Sequence, residues 1–382
     1  MTRRMLVIAD SDSFWTKRFL ENVALWQGYE IVLFPIWGNQ GKNDGFYARH
    51  GITVYQDRHT LPVIRHIPRV RMWARIWANA RSLLKLGPFD VVHNHYISQR
   101  DLALGALVSR RCGARWVATI WGSDFLRVSP AEKRRMAPLL NRCHFVHTVT
   151  SLIGDQLLAC CGQGLRNRLV LADFGQDSYR LMDEMRRTMT RADCKRSYGM
   201  DPESFVLCVG YSASAAQQQL QVLLALRALP RETLSKITLV LQQTYCVDDP
   251  SYLRQTHEAA AQLPCRTVIM TEFMNDEQCA RLRLAADAFV LAIRTDALSS
   301  TMLDYLYAGA CVLAGSWLEY PPLDAWGIQL HRFETFDALP GLITQAVNGQ
   351  ITGLAPDQRA ILSAEGSWES LRPQWLKMYE QA

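Results

Sequence analysis

The sequence predicts an α/β protein with two parallel sheets, and three observations carry that prediction. Short continuous apolar runs alternate with longer stretches of helical periodicity along the whole chain. A second cycle of the same alternation begins near residue 205, after a charged segment. The chain has 382 residues, 49% hydrophobic and 20% charged, which is length for two domains and composition for a large core.

In the first half the apolar runs fall at Met5–Ala9, Glu30–Pro35, Val91–His93, Arg115–Ile120, Phe145–Thr150 and Arg168–Leu171. Unbroken runs of this length suit strands covered on both faces, as in parallel sheets joined by right-handed crossovers. A charged helix is expected over Ser178–Ser197. The second half supplies strands at Phe205–Gly210, Ile237–Gln242, Thr267–Met270, Ala288–Leu291 and Ala310–Ala314. A last helix, about Ser367–Glu380, follows the second sheet and is expected to return to the first. The domain boundaries are placed at 1–175, 176–366 and 367–382. Two such sheets facing across a cleft put a ligand at the carboxyl ends of both sets of strands.

The net charge of +6 is unevenly divided. Residues 1–172 hold 24 Lys and Arg against 11 Asp and Glu, and the remainder holds 18 against 25. A basic first half points to an anionic partner there. No apolar run is long enough to cross a bilayer, and the first residues read as a buried strand, so a cytoplasmic protein is expected. The ten cysteines are scattered without a C-x-x-C pair, which argues against both a disulfide framework and a structural zinc site; most are expected to be buried thiols.

The most informative stretch is Ala286–Gly309. A strand runs out at Leu291, a short loop carries Arg294 and Asp296, and a helix starts near Ser299, Ser300 and Thr301, all good N-cap types. The amides and positive dipole end of that helix suit phosphate oxygens. Asp304 stands eight residues beyond Asp296, and two such acceptors suit vicinal hydroxyls. The plainer reading is a capped surface helix with two solvated aspartates.

This segment resembles the acidic pair of retaining nucleotide-sugar glycosyltransferases of the family 4 type. The resemblance implies the GT-B architecture: two Rossmann-like domains with parallel sheets facing across a cleft and a C-terminal helix returning to the first. By this resemblance Asp296 would contact the donor sugar and Asp304 the ribose, with Ser299, Ser300 and Thr301 on the diphosphate. Both acids are Asp where the family has Glu. The strand and loop Val206-Leu-Cys-Val-Gly210 also resemble the family, and Gly210, Tyr211 and Ser212 would open the loop on the diphosphate. Tyr211 and Gln217 stand where the family carries Arg and Lys. Arg294 is the candidate replacement cation, since a guanidinium grips phosphate oxygens bidentately.

In the first half, Asp90-Val-Val-His93-Asn-His95 ends one strand and Thr119-Ile-Trp121-Gly122-Ser-Asp124 ends the next. Polar residues past strand ends face the ligand crevice of an open sheet. Both segments resemble family motifs, with Trp121 in place of a His. The resemblance makes His95 and Asp124 catalytic candidates beside Asp296, and places His93, Trp121 and Gly122 at the acceptor; Asp12, in the polar loop after the first strand, joins them. His93 and His95 read equally well as satisfied core histidines, and Asp124 as the fastener of its loop.

The stretch Pro68–Lys85 is basic and amphipathic, with no acidic residue between Arg58 and Lys85. Val70, Trp73, Trp77, Ala80 and Leu84 fall at three- and four-residue steps, so the tryptophans are expected against the first sheet. The arginines are left for lipid headgroups or a diphosphate-linked acceptor. The function expected is hexosyl transfer from a nucleotide diphosphate sugar to a glycan or polyprenyl-diphosphate-linked acceptor, retaining, requiring no metal or bound cofactor, in assembly of a bacterial polysaccharide or glycoconjugate. A nucleotide-sugar epimerase, an inverting transferase on the same architecture and a catalytically dead binding partner remain the alternatives. Nucleic acid is not an expected partner, because no reader module is present.

Overall fold

Two sheets organise the chain in the computed structural model, which describes residues 3–56, 68–296 and 298–380. One unit comprises Met1–Phe174 with Trp368–Ala382, and the other Gly175–Ser367.

The first unit holds seven strands: β1 (Arg4–Ala9), β2 (Glu30–Pro35), β3 (Thr53–Val54), β4 (Val91–Asn94), β5 (Arg115–Ile120), β6 (Phe145–Thr148) and β7 (Leu169–Leu171). Their order is β3-β2-β1-β4-β5-β6-β7, and every pairing is parallel. Met5 to Ala9 are wholly buried, because helices cover β1 on both faces. The chain winds outward from β1 on one side and from β4 on the other, so the loops after these two strands flank the topological switch point.

The second unit holds β8 (Phe205–Val209), β9 (Ile237–Gln242), β10 (Arg266–Met270), β11 (Ala288–Leu291), β12 (Cys311–Gly315) and β13 (His331–Phe333). The order is β10-β9-β8-β11-β12-β13, again all parallel. Here the switch point lies between β8 and β11.

The last helix, Trp368–Leu376, belongs to the first unit. Trp375 is fully buried there and its Nε1 donates to the Asp173 carbonyl at 2.8 Å. Beyond the helix, Tyr379 shares a hydrogen bond with His93 Nδ1 at 3.0 Å.

The structure corrects four sequence expectations. The helix expected over 178–197 is two, Ser178–Arg186 and Arg191–Ser197. Thr190 and Asp193 form a capping box at the start of the second, which stops continuous winding. Strands β3 and β13 escape sequence reading because they are edge strands of two and three residues. Of the ten cysteines only Cys143, Cys194, Cys208 and Cys311 are buried, and Cys246 is exposed. The fourth correction concerns helix Pro68–Leu83. Its buried stripe is Ile76, Asn79, Ala80 and Leu83, while Val70, Trp73 and Trp77 are 48%, 51% and 59% exposed. The part of the basic region at 57–67 lies outside the described residues.

Candidate functional site

In the second unit the loops on either side of the switch point are tied together. β8 leads into Gly210, whose φ is +64° and whose N–H donates to the Val290 carbonyl of β11 at 3.1 Å. A Cβ there would stand 3.0 Å from Gln219 Nε2 and 3.2 Å from Gln217 Oε1, so both conformation and space call for glycine. Tyr211 is half-buried and Ser212 buried. Ser214 then caps a short turn, and Gln218, at φ +55°, donates from Nε2 to the Ala292 carbonyl at 2.6 Å. From the other loop the Arg294 N–H donates to the Ala216 carbonyl at 3.0 Å. The Arg294 side chain is left exposed on this joined rim.

Asp296 and Asp304 each meet a side chain from a distant element. Tyr320, fully buried, donates its hydroxyl to Asp296 Oδ2 at 2.8 Å. Burial and then the Asp296 charge hold that phenol well above its ordinary pKa, so it stays a donor. The Ser178 hydroxyl donates to Asp304 Oδ1. Between the two acids, Ser299 accepts the Met302 N–H at 3.2 Å and caps helix Ser300–Ala308. Ser300 donates to Gln176 Oε1, and Thr301 is half-buried in the first turn.

Where the resemblance leads one to look for cations after β8, the structure holds neutral amides. Gln219 Nε2 donates to the carbonyls of Val209 (2.8 Å) and Gln242 (3.2 Å). Its Oε1 accepts from Gln243, whose own oxygen meets His257 Nε2 at 2.7 Å. Gln217 is buried, with Oε1 lacking any hydrogen-bond partner. This network locks the end of β8 to β9 without adding charge. A buried guanidinium from helix Asp276–Ala285 reaches the end of β9: Arg283 Nη1 donates to Gln242 Oε1 at 2.8 Å and Tyr305 Oη at 3.2 Å.

In the first unit the candidates separate into fasteners and core. Asp124 accepts backbone N–H groups from Ile97 (3.1 Å), Trp121 (2.9 Å) and Gly122 (3.0 Å), joining the loops after β4 and β5. Gly122 sits at φ +105° to make that turn. Burial outweighs these backbone contacts and pushes the Asp124 carboxyl up to about 7. Asp12 likewise accepts from the Gln40 (2.7 Å) and Lys42 (2.9 Å) backbones, closing the loop after β2. His93 is fully buried, with Nε2 at 2.8 Å from Thr119 Oγ1 and Nδ1 on Tyr379. His95 stacks on Phe19 at 4.2 Å and meets Trp121 edge-on at 5.0 Å. Neither of its ring nitrogens has a hydrogen-bond partner within 3.5 Å. His147 completes the group, with Nε2 2.8 Å from the Ala172 carbonyl and its ring against Trp375. Burial is the main force holding all three imidazoles neutral; for His95 the neighbouring His93 and His147 add to it, and the Trp15 backbone, the smallest influence, acts the other way. Trp121 stacks flat on Phe174 at 4.2 Å and remains half-exposed.

The structure thus brings Gly210, Ser212, Arg294 and the loop of Asp296 to one rim of the second sheet. It places His93 and His95 inside an aromatic box rather than on a surface. Sequence reading missed Tyr320, Ser178, Gln176 and Arg283. Only Tyr320 carried a local signal, a Tyr-Pro-Pro just past a buried strand; the others act through contacts more than 20 residues away.

Comparison with known proteins bears on the fold. Residues 27–171 match the model of a glycosyl transferase 4-like domain. No curated protein matches the chain. Among solved structures, Anabaena Alr3699/HepE in complex with UDP and glucose is similar at 14% identity and a TM-score of 0.73, over 99% of both chains. A glycosyltransferase from Rickettsia africae ESF-5 is similar at 13% identity and 0.73, over 99% of this chain and 98% of that one. Sucrose-phosphate synthase from Thermosynechococcus elongatus follows at 15% identity and 0.71, with the same coverage. At these identities the structural likeness establishes the fold. With the family match over residues 27–171, this chain has the two-sheet GT-B fold and carries a glycosyl transferase 4-like domain in its first unit.

Proposed function

We propose that the protein moves a sugar from a nucleotide diphosphate sugar, held by the second unit, to a glycan or polyprenyl-diphosphate-linked acceptor at the basic first unit, in bacterial polysaccharide or glycoconjugate assembly. One observation carries the reading: the loops after β8 and β11 are hydrogen-bonded into a single rim at the switch point, with Gly210, Arg294 and Asp296 on it. Asp296, oriented by Tyr320, holds the sugar; Asp304 takes the ribose; Gly210, Tyr211, Ser212 and the Ser299–Thr301 turn take the diphosphate. Arg294 supplies the charge that Tyr211 and Gln217 do not. Transfer with retention and no covalent intermediate asks chiefly that the leaving phosphate be positioned and supported electrostatically, and this reading requires no metal. Asp124 and Gly122 shape the acceptor loop, Trp121 offers it an aromatic face, and Asp12 fixes the neighbouring loop. His93 and His95 support this floor from within. A cytoplasmic enzyme touching an anionic membrane through its basic region fits a lipid-linked acceptor.

UDP is the first nucleotide to test, since the similar HepE structure contains it. A ligand at 100 times its dissociation constant stabilises a protein by about 2.7 kcal/mol. Thermal shift with UDP, GDP, ADP and TDP should show stabilisation by one of them that Asp304→Ala and Arg294→Ala each reduce. No stabilisation by any nucleotide overturns the reading.

A further inference from the structure

We propose that the outer face of helix Pro68–Leu83 is an interfacial anchor that lays the first unit on an anionic bilayer. The inference deepens the membrane contact proposed above by naming the element that makes it. Along the exposed side run Val70, Trp73, Trp77 and Arg81, each three or four residues from the last, with Arg71 beside them and exposed Lys85 in the turn that ends the helix. The helix needs none of these for folding, because Ile76, Ala80 and Leu83 supply its buried stripe. Two half-exposed indoles on a helix whose core face is already satisfied are costly in water unless something covers them. A third, Trp37, is 62% exposed one residue beyond Ile36, which lines the same small crevice as Arg75 and Ile76.

The occupant follows from the chemistry of the stripe. Indoles favour the headgroup level of a bilayer, where the ring meets acyl chain and the N–H stays wet. Arg71, Arg81 and Lys85 have no acidic partner among the described residues, and no acid interrupts the sequence from Arg58 to Lys85. A stripe about 20 Å long, at 1.5 Å per residue, lies flat rather than crossing. No helix among the described residues is long and apolar enough to span a membrane. A second copy is disfavoured, since a symmetric contact would set this basic stripe against itself.

The test is sedimentation of the full chain with vesicles of phosphatidylcholine alone and of phosphatidylcholine mixed with phosphatidylglycerol. Wild type should bind the mixed vesicles and not the neutral ones. The variant Trp73→Ser, Trp77→Ser should lose at least about tenfold in partitioning, and the variant Arg71→Gln, Arg81→Gln, Lys85→Gln about a hundredfold. Both should keep the wild-type thermal midpoint, since all five side chains are exposed. Wild type that binds neither vesicle, or variants that bind as wild type does, overturns the proposal. So does a wild-type dimer that the tryptophan variant abolishes, which would assign the face to a second copy. Nucleotide-induced stabilisation should be the same in all three proteins, so failure of the donor site and failure of the anchor read out separately.

Discussion

Replacing Tyr320 with Phe should separate sugar binding from nucleotide binding. The ring is fully buried, so Phe fills its place, and the change removes only the hydroxyl that donates to Asp296 at 2.8 Å. A hydrogen bond to a charged group is worth about 1.5–3 kcal/mol. Asp296 is half-buried, and water can replace part of the contact, which sets the expected loss near the lower figure. That is about tenfold in affinity. In thermal-shift terms, the nucleotide sugar that binds, at a concentration giving wild type about 2.7 kcal/mol of stabilisation, should give Tyr320→Phe about 1.4 kcal/mol. The corresponding nucleoside diphosphate alone should stabilise both proteins equally, because the proposed reading gives Asp296 to the sugar. Equal affinity of wild type and variant for the nucleotide sugar, or an equal loss for the nucleoside diphosphate, would refute that reading.

Four further outcomes follow from the same geometry. Asp124, raised to about 7, favours the native state when protonated, so its contribution is full below about 4 and is lost as pH rises through 7. His147, lowered to about 3, contributes fully above about 6.5 and loses that contribution as pH falls toward 3. Denaturant titrations across pH should therefore show the stability difference between wild type and Asp124→Asn falling with rising pH, and that between wild type and His147→Gln rising. Gly210→Ala forces a side chain into left-handed backbone against Gln217 and Gln219, and should cost about 1–2 kcal/mol of stability together with nucleotide affinity; unchanged unfolding and binding would count against the close packing of this loop. Arg283→Met strips Gln242 and Tyr305 of a buried donor and should destabilise the protein by about 1–3 kcal/mol in equilibrium unfolding.

The sequence by itself determined the two-sheet architecture. Unbroken apolar runs such as Ile237–Gln242 and Ala288–Leu291 coincide with the strands, because a strand buried on both faces has to be apolar throughout. It also determined the capped helix after β11 and the glycine ending β8, since N-caps and left-handed turns use few residue types. Periodicity could place Trp73 and Trp77 on one stripe but not say which way the stripe faces. Helix Pro68–Leu83 has apolar residues on two sides, and only packing against its neighbours chose Ile76, Ala80 and Leu83 for the interior. Tertiary structure likewise decided that His93 and His95 lie under Phe19, Trp375 and Tyr379. Their strand-end position made a surface role equally legible, and the covering residues arrive from segments some 75 and 280 residues away. Tyr320 on Asp296 and Ser178 on Asp304 have the same origin: hydrogen bonds between distant elements depend on how the chain returns, which no local pattern records.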